Sequence, residues 1–248
     1  MESQQVAVIS DVHGNRWALR AVLDDITARG VGSIISLGDN AYGPLDPGAT
    51  ISMMLEHRIM SVSGNEDSIL TERGSPDRRA VHREYTLDNL DPQERMWLGQ
   101  LEMTLYLHEN ICLCHATPNC NETYLLHKVT AGGVVARPDE EILSLLHPCR
   151  ARTVVCGHSH IPGLRTAGER TVIDVGSVGL QAYVDDMPYP HRMETGDPLA
   201  RYTILSFDAG RCDARMYEVM YDWDSAADVA GKNGAADWEH WLRAGQIA

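Results

Sequence analysis

The stretch Val6-Ala7-Val8-Ile9-Ser10-Asp11-Val12-His13-Gly14-Asn15 combines a strand pattern with ionisable side chains near the start of the chain. It opens with a short apolar run, the pattern of a strand that is buried on both faces. An aspartate and a histidine follow two residues apart, so on an extended segment both side chains can face one way. The stretch therefore predicts a buried strand that ends at a group of ionisable side chains.

The segments after this stretch alternate between helix and strand patterns. Helices are predicted after the N-cap residues Asn15 and Asp46; Gly30 ends the first helix, and Pro47 begins the second. Further buried strands are predicted at 34–37 and 58–62. This strand–helix–strand order favours parallel strands joined by right-handed crossovers.

The rest of the chain is less regular. We expect helices over about 66–100, where Asp91 and Glu94 fit a capping box, and a hairpin across Glu109-Asn110. The patterns after 150 alternate more and favour antiparallel pairing for the later strands. The further strands predicted are 103–107, 111–114, 153–156, 171–175, 202–207 and 214–219, with a helix at 138–146.

We expect one domain over residues 1–248. Its C-terminal helical segment carries Trp238, Trp241 and Leu242 at helical spacing. The stretch at about 184–200 is rich in Asp, Pro and Met and shows no periodicity, which predicts a loop or small lobe. Two interpretations of it remain open: a mobile surface loop, or a lid that contacts substrate.

Composition excludes several classes of function. The 248 residues carry a formal net charge of −14, which disfavours binding to bulk nucleic acid or to an anionic membrane. The densest basic pair, Arg78-Arg79, fits a solvated helix face. No apolar run is long enough to span a bilayer, and the N-terminus lacks a signal-peptide pattern, so we expect a cytoplasmic protein. The six cysteines form no C-x-x-C pair and fit reduced thiols.

Polar and ionisable side chains follow five of the predicted strands. Taken singly, each group fits a turn, a helix cap or core packing. Together they fall at strand ends, where α/β sheets bind ligands, and could converge on one crevice. The five segments are Asp11-Val12-His13-Gly14-Asn15, Gly38-Asp39-Asn40, Gly64-Asn65-Glu66-Asp67, Cys114-His115-Ala116 and Gly157-His158-Ser159-His160.

The side chains in these segments fit a dinuclear metal site. Asp39 can bridge two cations with its two oxygens, Asn65 offers an amide oxygen, and the histidines offer imidazole nitrogens. Mixed oxygen and nitrogen ligands suit Mn, Fe, Zn, Ni or Co better than calcium. The absence of thiolate argues against a structural zinc site.

The order of these segments resembles the signature of the calcineurin-like metallophosphoesterase superfamily: D-x-H, G-D, G-N, H and G-H-x-H. Gly38–Pro44, Gly176–Gly179 and Gly196–Pro198 are similar to its small bacterial and archaeal phosphodiesterase branch. The resemblance implies an α/β fold, a four-layer αββα sandwich of two mixed β-sheets flanked by helices.

The resemblance also implies which residues bind two divalent ions, with Mn favoured in vitro. One ion would take Asp11, His13, Asp39 and His160. The other would take Asp39, Asn65, His115 and His158. A metal-bridging hydroxide would attack the phosphorus of a small phosphorylated substrate, a phosphodiester or phosphomonoester, while His115 and Asn65 stabilise the developing charge.

This chain departs from the family at Glu66, where many members have a histidine that protonates the leaving group. Glu66 therefore remains a candidate catalytic residue whose role as an acid is open. The alternatives on the same fold are a dinucleoside polyphosphate hydrolase, a protein phosphatase and a non-catalytic interaction protein. The complete set of seven ligands favours an enzyme.

Overall fold

A computed structural model describes residues 4–71, 81–208 and 211–248. The basic pair Arg78-Arg79 and part of the helical segment expected over 66–100 lie outside these ranges. Two five-stranded sheets and two short hairpins account for the strands of the described residues. The strands are β1 (Gln4–Ile9), β2 (Ile34–Ser36), β3 (Met60–Ser61), β4 (Thr104–His108), β5 (Ile111–Cys114), β6 (His127–Thr130), β7 (Gly133–Ala136), β8 (Thr153–Cys156), β9 (Gly163–Ala167), β10 (Arg170–Asp174), β11 (Ala182–Asp185), β12 (His191–Glu194), β13 (Ala200–Phe207) and β14 (Cys212–Val219).

Helices flank the two sheets, and the last two helices pack on each other and on the hairpin β11–β12. The helices are α1 (Arg16–Ala28), α2 (Pro47–Glu56), α3 (Asn65–Thr71), α4 (Arg83–Asp88), α5 (Pro92–Leu98), α6 (Asp139–Leu146), α7 (Trp223–Lys232) and α8 (Ala236–Ala244). Asn15 and Asp46 cap α1 and α2, and Asp91 with Glu94 forms the capping box of α5, as predicted. No helix in the described ranges is long and apolar enough to cross a membrane.

The sheets pack face to face. The first has the order β14-β13-β1-β2-β3, and the second has the order β4-β5-β8-β10-β9. An apolar cluster between them joins residues of both sheets, such as Val8 and Leu37 from the first and Leu113 and Val155 from the second. Separate clusters lie between the first sheet and α1, and between the second sheet and α6. This is the four-layer sandwich of two mixed sheets that the sequence resemblance implied.

Strand directions place the ends of five strands at one edge. β1, β2 and β3 run parallel in the first sheet, and β5 and β8 run parallel in the second. β13 and β14 are antiparallel, as predicted. The expectation of antiparallel pairing was incomplete for β10, which pairs parallel with β8 and antiparallel with β9. β9 escaped prediction because its charged and glycine residues conceal the strand pattern.

The stretch at about 184–200 is not an aperiodic loop along its whole length. Most of it belongs to a hairpin in which β11 pairs with β12 in register Ala182↔Glu194 to Asp185↔His191. Each strand has four residues, too few for alternation to stand out in the sequence. The C-terminal helical segment is confirmed, with Trp238, Trp241 and Leu242 buried against the hairpin and α7.

Candidate metal centre

The five strand-end segments meet at one edge of the sandwich. Seven side chains predicted as ligands are brought together there, and they form two groups. Asp11, His13 and His160 form one group, and Asp39, His115 and His158 form the other; within each group the ligand atoms lie within 4.8 Å of one another. The amide oxygen of Asn65 lies 2.9 Å from His115 Nε2 and so joins the second group.

The distances inside each group are those of ligands around a common centre. His13 Nε2 lies 3.2 Å from His160 Nε2, which lies 3.3 Å from Asp11 Oδ1. His115 Nε2 lies 3.2 Å from His158 Nδ1 and 3.4 Å from Asp39 Oδ2. Atoms bound at about 2.1 Å from one metal ion lie roughly 3.0–3.4 Å apart, depending on coordination geometry. The spacing and the oxygen–nitrogen donor set both fit metal ions.

Backbone carbonyls orient three of the four imidazoles. His13 Nδ1 donates to the Tyr42 carbonyl at 3.1 Å, His115 Nδ1 to Leu37 at 2.9 Å and His160 Nδ1 to Leu180 at 2.6 Å. Because a carbonyl only accepts, each of these rings carries its proton on Nδ1 and presents Nε2 to the site. Such outer partners fix the tautomer and the ring direction of a metal-binding histidine.

The site is held in an unusual backbone conformation. Asp11, His13, Asp39, His158 and His160 all have positive φ, between 52° and 67°. Non-glycine residues adopt this region at a cost, and such residues cluster at functional sites where the surroundings enforce them. Gly64 permits close approach because a Cβ there would collide with the Asp39 carboxylate.

Asp67 is a buried residue of the candidate site to which the sequence pattern assigned no role. It is fully buried, and its carboxylate accepts hydrogen bonds from the backbone N–H groups of Asp39, Asn40 and Gly64, at 2.9–3.0 Å, and from the Asn40 side chain. One side chain thereby ties the Gly38–Asn40 turn to the turn at Gly64. The only sequence signal was an acidic residue two places after Asn65.

Glu66 lies at the rim of the first group and contacts one of its histidines. Its Oε2 is 3.1 Å from His13 Nδ1, and its backbone N–H donates to Asp39 Oδ1 at 2.9 Å. Burial raises the pKa of the Glu66 carboxyl to about 7, although the His13 contact opposes the shift. Glu66, His13 and Asp39 form a third group that could bind an ion.

Without metal, protons compensate the buried carboxylates. Burial lowers the pKa of His115, but Asp39 and Asp11 outweigh it and raise the pKa to about 10. Burial likewise lowers the pKa of His13, whereas Glu66, Asp39 and Asp11 raise it to about 9. Asp11 Oδ1 is fully buried and accepts no hydrogen bond among the described residues, although the imidazole of His160 lies 3.3 Å away. A buried carboxylate oxygen that contacts an imidazole without a hydrogen bond fits a metal ligand.

A cleft of ≈ 580 Å³ opens from the two ligand groups to the surface. Its walls come from the hairpin β11–β12 and from the start of α8. The lining residues beyond the ligands and Glu66 are Tyr42, Val81, His82, Tyr183, Val184, Asp185, Asp186, Met187, Asp237, Trp238 and Trp241.

Comparison with known proteins agrees with this architecture. Residues 5–189 match the calcineurin-like phosphoesterase superfamily domain. An uncharacterised protein of Methanocaldococcus jannaschii is 25% identical over 252 residues, which cover 96% of each chain. The crystal structure of a metallophosphoesterase from Sphaerobacter thermophilus has a TM-score of 0.77 at 24% identity, covering 99% of this chain and 100% of that one. A hypothetical protein from Pyrococcus horikoshii has a TM-score of 0.76 at 16% identity, covering 100% of both chains.

Metal binding should release protons. Because the pKa values of His13 and His115 are about 9 and 10 in the metal-free protein, both imidazoles are protonated at pH 7.5 and must lose a proton to bind metal. We expect release of about one to two protons per chain, and an affinity that rises between pH 7 and pH 9. Calorimetric titration with Mn²⁺ in two buffers of different ionisation enthalpy measures this. A heat independent of buffer would contradict it.

Asp67→Asn should weaken metal binding although Asp67 touches no ion. The amide loses one acceptor oxygen and turns its NH₂ group toward backbone N–H donors, so the Gly38–Asn40 turn loses its anchor. We expect a loss of about 10- to 100-fold in Mn²⁺ affinity, the usual cost of removing an outer partner. Asp25→Asn is the control, since Asp25 bonds Arg29 and Tyr202 far from the site. Equal affinity in both variants would refute the role of Asp67.

Proposed function

Because this chain belongs to the calcineurin-like phosphoesterase superfamily, we propose that it is a hydrolase of phosphate esters that uses two divalent metal ions. One ion would be held by Asp11, His13, Asp39 and His160. The other would be held by Asp39, Asn65, His115 and His158. The observation that carries this proposal is the position of Asp39, whose carboxylate belongs to a group with His13 and to a group with His115 and His158. Such a carboxylate can bridge two ions.

The side chains around the ions have separate tasks in this proposal. When bound, the ions supply an acidified water and polarise the phosphoryl oxygens. Asn65 lines the cleft, and its amide oxygen lies 2.9 Å from Nε2 of the buried His115. Both side chains would stabilise the phosphoryl group as its charge develops. Glu66 restrains His13 through the 3.1 Å contact. Burial raises the pKa of Glu66 toward neutrality in the metal-free protein, but two bound cations would lower that pKa and favour the ionised carboxylate, so restraint of His13 is the role proposed for Glu66.

The charge of the cleft favours a substrate with few negative charges. Asp185, Asp186 and Asp237 line it, and none of its described lining residues is Lys or Arg. A phosphodiester carries one negative charge, whereas a phosphomonoester or a dinucleoside polyphosphate carries two or more. The carboxylates repel the additional charges. We therefore propose a small phosphodiester as the substrate, in preference to a phosphomonoester, a polyphosphate or a phosphoprotein.

Chelation should abolish hydrolysis of bis-p-nitrophenyl phosphate, and Mn²⁺ should restore it. Asp39→Asn should lose more activity than Asn65→Ala, because Asp39 serves both ions and Asn65 only one. Metal analysis of Asp39→Asn should show a reduced content of both ions. Circular dichroism should show that its fold is intact. Full activity in the chelated, metal-free protein would overturn the proposed function. Wild-type turnover with unchanged metal content in Asp39→Asn would overturn the bridging assignment.

The double variant Asp186→Asn/Asp237→Asn should lower the ratio of kcat/KM for the phosphodiester to kcat/KM for the phosphomonoester. Two carboxylates fewer at the cleft mouth should raise kcat/KM for p-nitrophenyl phosphate by about 2- to 5-fold, with a smaller effect on bis-p-nitrophenyl phosphate. The difference should fade in 0.5 M salt through screening. Asp213→Asn, at an exposed position on β14, is the control. An unchanged ratio of the two substrates would show that these carboxylates do not select by charge.

A further inference from the structure

His158 differs from the other three histidines of the site. Its Nδ1 faces the metal side, 3.2 Å from His115 Nε2. In the part of the chain that the structure describes, no carbonyl oxygen accepts a hydrogen bond from its ring, whereas His13, His115 and His160 each have one such partner. Its backbone also has a φ of 67°, a strained value for a side-chain-bearing residue. His158 therefore needs another restraint.

A chain of hydrogen bonds leads from His158 to the hairpin β11–β12. The Tyr183 hydroxyl lies 3.0 Å from the His158 carbonyl oxygen and 2.7 Å from the Tyr124 hydroxyl. The Tyr124 hydroxyl lies 2.9 Å from His191 Nε2. His191 Nδ1 donates to the Tyr189 carbonyl at 2.8 Å. With that proton on Nδ1, His191 Nε2 accepts from the Tyr124 hydroxyl. The single hydroxyl proton of Tyr183 is then shared between two acceptors, the Tyr124 oxygen and the His158 carbonyl oxygen, in a bifurcated hydrogen bond.

The same residues hold the rings of the site by packing. The Tyr124 ring lies 4.8 Å from the His158 ring, and the Tyr183 ring lies 4.5 Å from the His160 ring. Tyr124 and His191 are both buried, with 6% and 8% exposure, so water competes little for their hydrogen bond. Tyr183 belongs to β11 and His191 to β12, and both strands of the hairpin are therefore tied to the site.

We propose that Tyr183, Tyr124 and His191 are positioning residues that fix His158 for the second metal ion. The inference rests on the proposed two-metal function. The network acts on the backbone carbonyl and on the ring face of His158, which replaces the ring-to-carbonyl bond that the other histidines make. The hairpin thereby has a structural task at the metal centre in addition to lining the cleft.

Three variants test the network: Tyr183→Phe, Tyr124→Phe and His191→Phe. Each removes a hydrogen bond and keeps a ring in place. We expect the second Mn²⁺ to bind about 10- to 100-fold more weakly while the first keeps its affinity. Calorimetry gives the two affinities, and electron paramagnetic resonance should show the coupled dinuclear signal giving way to that of a single Mn²⁺. Tyr202→Phe is the matched control, because it removes a buried hydroxyl bonded to Asp25, 2.6 Å away, on the other side of the first sheet.

A double-mutant cycle shows whether two substitutions lower the Mn²⁺ affinity through one shared network or independently of each other. In Tyr124→Phe/His191→Phe the second substitution should add little, since either one breaks the same hydrogen bond. If all three single variants bound both Mn²⁺ ions with wild-type affinity, the inference would be wrong, but the proposed function would not be affected. An equal loss of affinity for both ions would also overturn the inference. A wild-type protein that binds fewer than two ions would refute the proposed function itself.

Discussion

Carboxylates buried where the two sheets meet must be balanced by positive charge, and this requirement shapes the whole site. Asp11 has no exposed surface; its Oδ2 accepts the N–H of His158 from the second sheet, while its Oδ1 faces His160. An uncompensated charge at such a position is strongly destabilising, so cations must balance it. Imidazolium groups do so in the metal-free protein and metal ions would do so in the active one. The strained loops persist because this balance and the packing around it enforce them.

The side chains that meet at the candidate site could be predicted because each lies in a short local motif. A short apolar run predicts a buried strand, and Asp11 and His13 directly after it predict ionisable side chains at the end of that strand. Parallel strands then bring such ends to one edge without any detail of packing. The ring orientations could not be predicted, because the carbonyls that set them, such as those of Tyr42 and Leu180, are distant in sequence from the histidines they hold.

The parts missed by the sequence pattern depend on contacts across the fold. Asp67 gains its role only when the turn at Asp39 reaches it, 28 residues away in sequence. Tyr124 and His191 lie 67 residues apart, and neither follows a recognisable motif. The hairpin that carries His191 has four-residue strands, which give no periodic signal. Local patterns therefore point to the candidate ligands, while the residues that position them emerge only from tertiary structure.

The residues that would carry out the chemistry differ from those that would select the substrate. All seven candidate ligands lie within residues 5–189, the part that matches the family. One wall of the cleft, formed by Asp237, Trp238 and Trp241 of α8, lies beyond that part, whereas the other wall, from Tyr183 to Met187 of the hairpin, lies at its end. Family membership consequently argues for phosphoester chemistry but gives no argument about the group carried by the ester. That group meets the carboxylates and apolar side chains of the two walls. Residues of the hairpin also contact His158. A substitution in the hairpin that alters substrate selectivity is therefore expected to alter metal binding as well.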